Sequence, residues 1–404
     1  MKVKQDIAIL GGKRTAMAEY CGTPGFGAFK DISANQLGGH AIKAALADAG
    51  VAGDAIEHVV MGNAMQTSVD AHYGARHAAL HAGIPVEVPA LTVNRICGSG
   101  AQSVVNLSQM LLLGEHAIGV AGGMENMSQA PFCVYGNEVR AGVRFGTQPR
   151  MTDYLFQGLH DSYCNTFMAQ TADNAANEAG VTREEADAFA LRSHQLGAAA
   201  VKNGLFKDEI TPIEVGSGKR SRVIDTDDHI KPETTIEALS GLRPAFGEGG
   251  LVTAGNASGI VDGAAALVVA TGDHAKSKGL TPKAYIRGWF VAAVRPEVMS
   301  IGPVPAIQGL LKDCELKIED IDLVEINEAF APQVVACEKA LGLNRDRLNV
   351  NGGAVAIGHP LGATGTRLIL TLVHELKRRD ARYGIASMCI GGGQGIAVLI
   401  ENAK

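Results

Sequence analysis

Two cysteines, a histidine and an asparagine stand in surroundings that suit group-transfer chemistry. Cys97 lies in VNRICGSGAQSV, His359 in HPLGATG, Cys389 in CIGGGQG and Asn327 in NEAF. A thiol can attack a carbonyl carbon, and a neighbouring imidazole can take its proton. The glycines beside these residues allow a bound group to approach the backbone closely, and free N–H groups there can stabilise an oxyanion.

Cys97 is followed by a run with helical character, which decides between two interpretations of this residue. Free cysteine is among the most buried residue types, so the peptide alone favours a small core side chain. A thiol at a helix N-terminus is different, because unpaired N–H groups and a positive partial charge stabilise the thiolate there. We therefore expect the pKa of Cys97 to lie below its ordinary value of about 8.5.

The histidine and the second cysteine have their own contexts. Many glycines around His359 predict tight turns and an exposed ring with a functional role. Cys389 follows an apparent strand over 384–388, so its thiol is expected at the carboxyl edge of a sheet, where open α/β sheets place their sites. The sequence GGGQG lacks the G-x-G-x-x-G order, so a dinucleotide-binding turn is only weakly indicated.

Asn327 and Glu328 follow the run IDLVEI over 321–326. An uncharged amide at the end of a strand can orient a water molecule or an imidazole. Glu328 could act as a general base, although a structural carboxylate is an equally good interpretation.

An internal repeat brings these residues together. Three segments of the first third match three of the last third in the same order, each pair about 265 residues apart, which predicts two α/β halves of one topology. The pairs are AIEHVVMGNAM (55–65) with DIDLVEINEAF (320–330), CGSGA (97–101) with HPLGA (359–363), and GVAGG (119–123) with GIASM (384–388). A pseudo-twofold axis would then place Cys97 and His359 in equivalent positions, each before a helix.

Composition and periodicity predict the α/β class. Fifty glycines and 5% aromatic residues accompany short β-branched runs that alternate with amphipathic segments. We predict strands over 118–121 and 264–270 and helices over 35–50 and 183–204, the latter with a capping box from Thr182 to Glu185. The predicted domains are a first half over 1–124, completed by about 255–272, an inserted loop domain over 125–254, and a second half over 273–404.

Charge and cysteine content exclude several classes. The net charge of −6 comes from interleaved acidic and basic residues, which speaks against a nucleic-acid partner. Seven scattered cysteines without CxxC spacing favour neither a disulfide framework nor a metal site, and suggest a reducing compartment. No signal-peptide core or run of 18 apolar residues is present, so we expect a soluble cytoplasmic protein with no membrane partner.

The predicted convergence of Cys97, His359, Asn327 and Cys389 leaves alternatives. A cysteine, a histidine and an asparagine are also the residue types of a papain-like hydrolase. A second thiol would then have no role, whereas a reaction that also moves a proton at carbon would use it.

The four motifs together resemble those of the thiolases, and the similarity extends over ENMSQAP (125–131) and LVTAGNASGIVDGAAA (251–266). The resemblance implies a five-layered αβαβα fold built from two duplicated halves and an inserted loop domain. It implies that Cys97 accepts the acyl group, that His359 activates it, and that Cys389 is the acid and base at carbon. Two oxyanion holes are implied, one from His359 with a water held by Asn327, and one from the N–H groups of Cys97 and Gly391.

The resemblance also implies coenzyme A and its thioesters as substrates, with no permanently bound cofactor and no metal. A non-catalytic acyl-CoA carrier is disfavoured by the intact motifs, and a decarboxylating condensing enzyme would be expected to use a second histidine in place of Cys389. Lys231 stands where an arginine is common in the family. The positions implied to contact coenzyme A are Leu159, Met168, Lys231, Phe246, Ala254, Ser258, Met299, Ala329 and Phe330.

Some positions separate subgroups of the family. Acetoacetyl-CoA-specific biosynthetic thiolases carry a His-Met pair where this chain has Phe167 and Met168, and often a histidine at Phe132. Together with VRFGT and MSIGPVPA (299–306), these positions are more similar to the mitochondrial-type 3-ketoacyl-CoA thiolases, which implies a role in fatty acid β-oxidation, with the acetoacetyl-CoA-specific enzyme as the alternative. The paired halves and three arginines in the inserted segment over 125–254 suggest a homodimer or homotetramer. These arginines are Arg140, Arg144 and Arg150.

Overall fold

The computed structural model describes residues 1–403. Its strands, numbered in chain order, are β1 Lys2–Arg14, β2 Ala18–Glu19, β3 His58–Gly62, β4 Ala90–Val93, β5 Ile118–Glu125, β6 Phe132–Cys133, β7 Thr152–Asp153, β8 His160–Asp161, β9 Thr166–Phe167, β10 Ile213–Val215, β11 Arg222–Ile224, β12 Val261–Thr271, β13 Ala284–Ala293, β14 Leu323–Ile326, β15 Tyr383–Ile390 and β16 Gln394–Asn402.

The α-helices differ widely in length. They are α1 Ala34–Ala49, α2 Gly74–His81, α3 Ser99–Leu113, α4 Gly136–Val139, α5 Tyr154–Gly158, α6 Met168–Glu178, α7 Arg183–Lys202, α8 Ile236–Ser240, α9 Gly272–Ser277, α10 Pro303–Cys314, α11 Ala331–Leu341, α12 Ala354–Ile357 and α13 Leu361–Arg378.

Ten strands form one mixed sheet, and its order shows the duplication. The order is β14-β15-β16-β13-β1-β12-β5-β3-β4, with β2 paired to β12. In the first half β3 runs parallel to β5, which pairs antiparallel with β12, and β12 pairs antiparallel with β1. In the second half β14, β15, β16 and β13 repeat this pattern. The predicted pair of α/β halves is therefore confirmed.

Helices lie in three layers around the two parts of the sheet. Helices α3 and α13 pack on each other and contact strands of both parts. Helices α1 and α2 cover the other face of the first part, and α10 and α11 that of the second, each over its own buried apolar cluster. The result is the five-layered αβαβα arrangement, with the largest cluster in the middle.

Glycines allow the two central helices to meet at their N-terminal ends. A Cβ atom at Gly100 of α3 would lie 2.7 Å from the carbonyl oxygen of Gly362, and one at Gly365 of α13 would lie 2.3 Å from the nitrogen of Ala101. Both separations are shorter than a carbon atom tolerates, so the close crossing requires glycine. This crossing sets how near the residues that precede the two helices lie to each other.

The predicted elements are present within a few residues. The strand predictions over 118–121 and 264–270 fall inside β5 and β12, which are buried throughout. Helices α1 and α7 correspond to the predicted helices, and α7 begins after Thr182, whose hydroxyl accepts from the Glu185 N–H in a capping box.

The chain between β5 and β12 leaves the central sheet. It forms three two-stranded ribbons, β6 with β7, β8 with β9, and β10 with β11, and carries α4 to α8. Helices α6 and α7 pack against α11 of the second half. None of the helices within residues 1–403 is long and apolar enough to cross a membrane.

Candidate active site

Cys97 and His359 lie at equivalent places in the two halves. Cys97 lies two residues before α3 and His359 two residues before α13. Because these helices cross at their N-terminal ends, both side chains line one cavity of about 330 Å³. The structure thus brings together the pair that the repeat places in register.

Hydrogen bonds define the tautomer of His359. The Thr364 hydroxyl donates its single hydrogen to the Pro360 carbonyl oxygen at 3.0 Å, so it accepts from Nδ1–H of His359 at 2.6 Å. The lone pair is therefore on Nε2, which lies 3.3 Å from Nδ2 of Asn327. This imidazole is oriented to act as a base through Nε2. Sequence reasoning missed Thr364, although it lies in the quoted HPLGATG motif.

Replacing Thr364 by Val should lower kcat/KM for acyl transfer by about 10- to 100-fold, because Nδ1–H loses its acceptor and the tautomer is no longer held. Steady-state kinetics with a 3-ketoacyl-CoA and coenzyme A measures the effect. Thr364→Ser keeps the hydroxyl and is the matched control. A Thr364→Val protein as active as wild type would show that the hydrogen bond does not orient the imidazole.

The environment of Cys97 corrects one expectation. Its side chain is 8% exposed, and burial raises the pKa of the thiol to about 11, although the backbone N–H groups of Gly391 and of Cys97 itself act in the opposite direction. The expected lowering of its pKa is therefore wrong, because desolvation outweighs the helix N-terminus. The two N–H groups that act on the sulfur are those that the resemblance implies for one oxyanion hole.

The backbone before Cys97 is unusual. Ile96 has φ +46°, the left-handed region that β-branched residues avoid. Its amide nitrogen donates to Asn94 Oδ1 at 2.8 Å, and its carbonyl oxygen accepts from Ser99 Oγ at 2.7 Å. Gly358, before His359, also has a positive φ of 98°. Both halves thus make a tight turn just before Cys97 or His359.

The predicted exposure of His359 is also wrong, since its side chain is 5% exposed and buried in the wall of the cavity. Burial, together with the positive charge of Arg367, lowers its pKa to about 3. His359 is therefore neutral at neutral pH. The resting pair is therefore a neutral thiol and a neutral imidazole.

Cys389 lies behind this pair. It is fully buried near the end of β15 and packs with Met299 and Ala329, but it is not part of the cavity lining. Burial raises the pKa of its thiol well above the ordinary value, and the neighbouring thiols of Cys97 and Cys337 act in the same direction. The glycine-rich turn after β15 carries the Gly391 N–H to Cys97, so the two thiols share this corner of the fold.

Two buried glutamates have structural partners. Glu328 accepts from Ser193 Oγ at 2.6 Å and Asn349 Nδ2 at 2.8 Å, and the structural interpretation of this carboxylate fits those bonds. Glu125 is a residue that sequence reasoning missed: it accepts from the backbone N–H groups of Met65 at 3.0 Å and Gly362 at 2.8 Å. It joins the first half to the start of α13, and so supports the place where Cys97 and His359 meet.

The cavity contains most of the positions implied to contact coenzyme A. Lys231 and Phe132 are not in its lining, and Phe132 is 65% exposed on β6. Among the residues that sequence reasoning missed are Met127, Leu155 and Phe156. Eight of the implied positions do line the cavity: Leu159, Met168, Phe246, Ala254, Ser258, Met299, Ala329 and Phe330.

Phe167 lies in the same wall within an aromatic cluster. Its ring stacks on Phe246 with centroids 4.8 Å apart, and it contacts Phe156 at 4.9 Å and His160 at 4.8 Å. No group of three or more histidine, cysteine, aspartate or glutamate side chains within 1–403 is arranged to hold a metal ion.

A buried thiol that shares an apolar cavity with a neutral imidazole suits acyl transfer, and the αβαβα fold around it is that of an α/β acyltransferase. The family model Thiolase, N-terminal domain, matches residues 7–273, and Thiolase, C-terminal domain, matches residues 280–402. The chain belongs to the thiolase family, which confirms the resemblance and the predicted fold class.

Individual relatives agree with this membership over their full length. The chain is 47% identical to mitochondrial 3-ketoacyl-CoA thiolase of Homo sapiens over 402 residues, covering 100% of both chains. It is 44% identical to acetyl-CoA acetyltransferase of Cupriavidus necator, covering 98% of this chain and 99% of the relative. The crystal structure of human mitochondrial 3-ketoacyl-CoA thiolase in complex with CoA superposes with a TM-score of 0.95 at 46% identity, covering 100% of both chains.

Proposed function

We propose that this thiolase cleaves 3-ketoacyl-CoA with coenzyme A to acetyl-CoA and a shortened acyl-CoA, or runs the reverse Claisen condensation. The observation that carries the proposal is the shared cavity of Cys97 and His359, with the buried thiol of Cys389 beside them. A relative of this chain is a 3-ketoacyl-CoA thiolase, and another is an acetyl-CoA acetyltransferase.

In the cleavage direction, the Cys97 sulfur attacks the 3-keto carbon while Nε2 of His359 takes its proton. The bond between C2 and C3 breaks, the electron pair leaves with the acetyl-CoA enolate, and Cys389 donates a proton to C2. The proton that His359 took then passes to the Cys389 thiolate. Coenzyme A attacks the acyl-cysteine while His359 takes the proton of its thiol, the bond between the acyl carbon and the Cys97 sulfur breaks, and His359 returns that proton to Cys97 as acyl-CoA forms. The backbone N–H groups of Cys97 and Gly391 stabilise one oxyanion, and His359 with a water held by Asn327 stabilises the other.

Coenzyme A would enter beside the inserted segment, which we infer to be a loop domain over 125–254. Four of the implied contacts come from this segment and lie in the cavity wall, namely Leu159, Met168, Phe246 and Ala254. Lys231 lies outside the lining, so its proposed role is a cationic contact to the nucleotide beyond the cavity. Isothermal titration with coenzyme A, comparing wild type with Lys231→Ala, tests this contact.

The lining of the cavity bears on the length of the acyl chain that the enzyme prefers. The cavity wall is almost entirely apolar, and each buried methylene group is worth about 0.8 kcal/mol. We therefore expect kcat/KM to rise from acetoacetyl-CoA to longer 3-ketoacyl-CoA substrates until the cavity is filled. A chain-length series measures this directly. Activity with acetoacetyl-CoA only would favour the acetoacetyl-CoA-specific enzyme.

Two phenylalanine variants test which side chain sets the preferred chain length. Phe167→Ala should change the preferred chain length, because Phe167 lines the cavity, whereas Phe132→Ala should leave it unchanged, because Phe132 is 65% exposed and outside the lining. Release of free fatty acid without added coenzyme A would instead support a hydrolase using Cys97, His359 and Asn327.

The proposed oligomeric state is a homodimer or homotetramer. Three large apolar side chains are exposed near the arginines of the inserted segment, namely Phe132, Phe145 and Met151. Exposed apolar side chains support contacts between copies of the chain in a homodimer or homotetramer. Light scattering would give the assembly size.

All seven cysteines are free, which supports a reducing compartment, proposed as the cytoplasm. The proposed reaction would serve fatty acid metabolism there. The human relative is mitochondrial by name, so cell fractionation is the deciding measurement.

A further inference from the structure

The side chain of Arg95 joins the turn that carries Cys97 to the turn that carries Gly391. Its Nη1 donates to Gln394 Oε1 at 2.6 Å, and its Nε donates to Gln102 Oε1 at 2.7 Å. Gln102 lies on α3 of the first half, and Gln394 is the first residue of β16 in the second half. One half-buried guanidinium group therefore links the two halves beside the nucleophile.

Gln394 closes the hairpin turn between β15 and β16. It is paired with Ile390 across the hairpin, and residues 391–393 form the turn between them. The first residue of this turn is Gly391, whose backbone N–H acts on the sulfur of Cys97. Because the turn is so short, a hydrogen bond to the side chain of Gln394 limits how far the Gly391 N–H can move.

The two turns are in direct contact, and one of them is strained. A Cβ atom at Gly98 would lie 2.5 Å from Cδ1 of Ile390, and one at Gly391 would lie 3.6 Å from Cδ1 of Ile96. Ile96 has φ +46°, a conformation that a β-branched residue keeps only when the surrounding structure holds it. Arg95, the residue before it, supplies such a hold from the second half.

The internal repeat shows where this link occurs. Arg95 lies two residues before Cys97, and the residue two before His359 is Ile357, the last residue of α12. Ile357 is 1% exposed and has no polar group in its side chain, so it cannot form the link that Arg95 forms. The link therefore belongs to the half that carries the nucleophile and is not copied with the shared topology.

We propose that Arg95 is a positioning residue of acyl transfer: by binding Gln394, it holds the Gly391 N–H in place for the carbonyl oxygen of the acyl group on Cys97. The inference rests on the proposed function, in which the N–H groups of Cys97 and Gly391 stabilise an oxyanion. Such donors are effective because they are fixed before the charge develops. The planar fork of arginine keeps two hydrogen bonds in one geometry, which the flexible side chain of lysine does not.

The test measures the infrared carbonyl stretch of acetyl-Cys97 in full-length protein that has been fully acetylated with carbonyl-¹³C-labelled acetyl-CoA. Hydrogen bonds to the carbonyl oxygen polarise the bond and lower its frequency. Arg95→Met should therefore give a higher frequency than wild type. In steady-state cleavage its kcat should fall by about 10- to 100-fold, because the donor is misplaced, while KM changes by less than about threefold.

Three further variants separate positioning from a general packing effect. Gln394→Leu removes the acceptor and should shift the band as Arg95→Met does, and the double variant should shift it no further. Gln394→Glu keeps an acceptor for Arg95 and should retain the wild-type frequency. Arg76→Met is the matched control, since Arg76 is also half-buried and donates two hydrogen bonds, to the carbonyl oxygens of Val86 and Val88; it should change neither the band nor kcat.

A wild-type carbonyl frequency in Arg95→Met, or a raised KM with unchanged kcat, would overturn the inference. If Arg95→Met does not fold, the two Gln394 variants decide, and equal frequencies in Gln394→Leu and Gln394→Glu would overturn it. Failure of wild type to form an acetyl-enzyme would overturn the proposed function and this inference with it. An unshifted band on an acetylated variant overturns the inference alone, so the two failures are distinguishable.

Discussion

Replacing Cys97 by Ala should abolish the acyl-enzyme and lower kcat by about 10⁴-fold or more, because no other group can attack the substrate carbonyl. Cys97 lines the cavity together with His359, whose Nε2 is free to take the thiol proton. Intact-protein mass spectrometry after incubation with acetyl-CoA should show one acetyl group on wild type and none on the variant. Steady-state cleavage of a 3-ketoacyl-CoA measures the loss of turnover.

Cys314→Ala is a matched control for this experiment. Cys314 is a buried cysteine on α10, away from the cavity lining, and its replacement should leave the acetyl adduct unchanged. An acylated species on Cys97→Ala would mean that the nucleophile is a different residue. The pKa of about 11 for the Cys97 thiol adds an expectation: acylation should not need a preformed thiolate and should persist at pH 7, where only the neutral thiol is populated.

Replacing Cys389 by Ala should separate the two kinds of chemistry. Carbon–carbon cleavage should fall by about 10²- to 10⁴-fold, the range for a lost general acid, while acetylation of Cys97 by acetyl-CoA should change much less. The reason is that acetylation moves a proton only between Cys97, His359 and the leaving thiol, whereas cleavage also protonates carbon. Stopped-flow release of coenzyme A and steady-state cleavage measure the two steps.

Cys337→Ala is the control for Cys389, because Cys337 is an equally buried neighbouring thiol whose hydrogen bonds are to Ser300 and Gln333. It should leave both steps close to wild type. Equal losses in acetylation and in cleavage for Cys389→Ala would contradict its role at carbon and point to a packing defect.

Much of the architecture follows from sequence patterns. The repeat predicts two halves of one topology, and it places Cys97 and His359 before equivalent helices, as in the structure. Periodicity predicts β5, β12, α1 and α7, because alternation and helical spacing are local properties of the chain. The glycines of the two motifs serve a tertiary purpose that composition alone does not reveal, namely the close crossing of α3 and α13.

The sequence by itself determined which residues can carry the chemistry and, through the repeat, that they would meet. Only the tertiary structure decided their protonation. Burial, which depends on every layer around the site, makes Cys97 a neutral thiol and His359 a neutral base, against the local expectation from a helix N-terminus. The same holds for Thr364, whose hydrogen bond to His359 depends on how the turn at His359 enters α13.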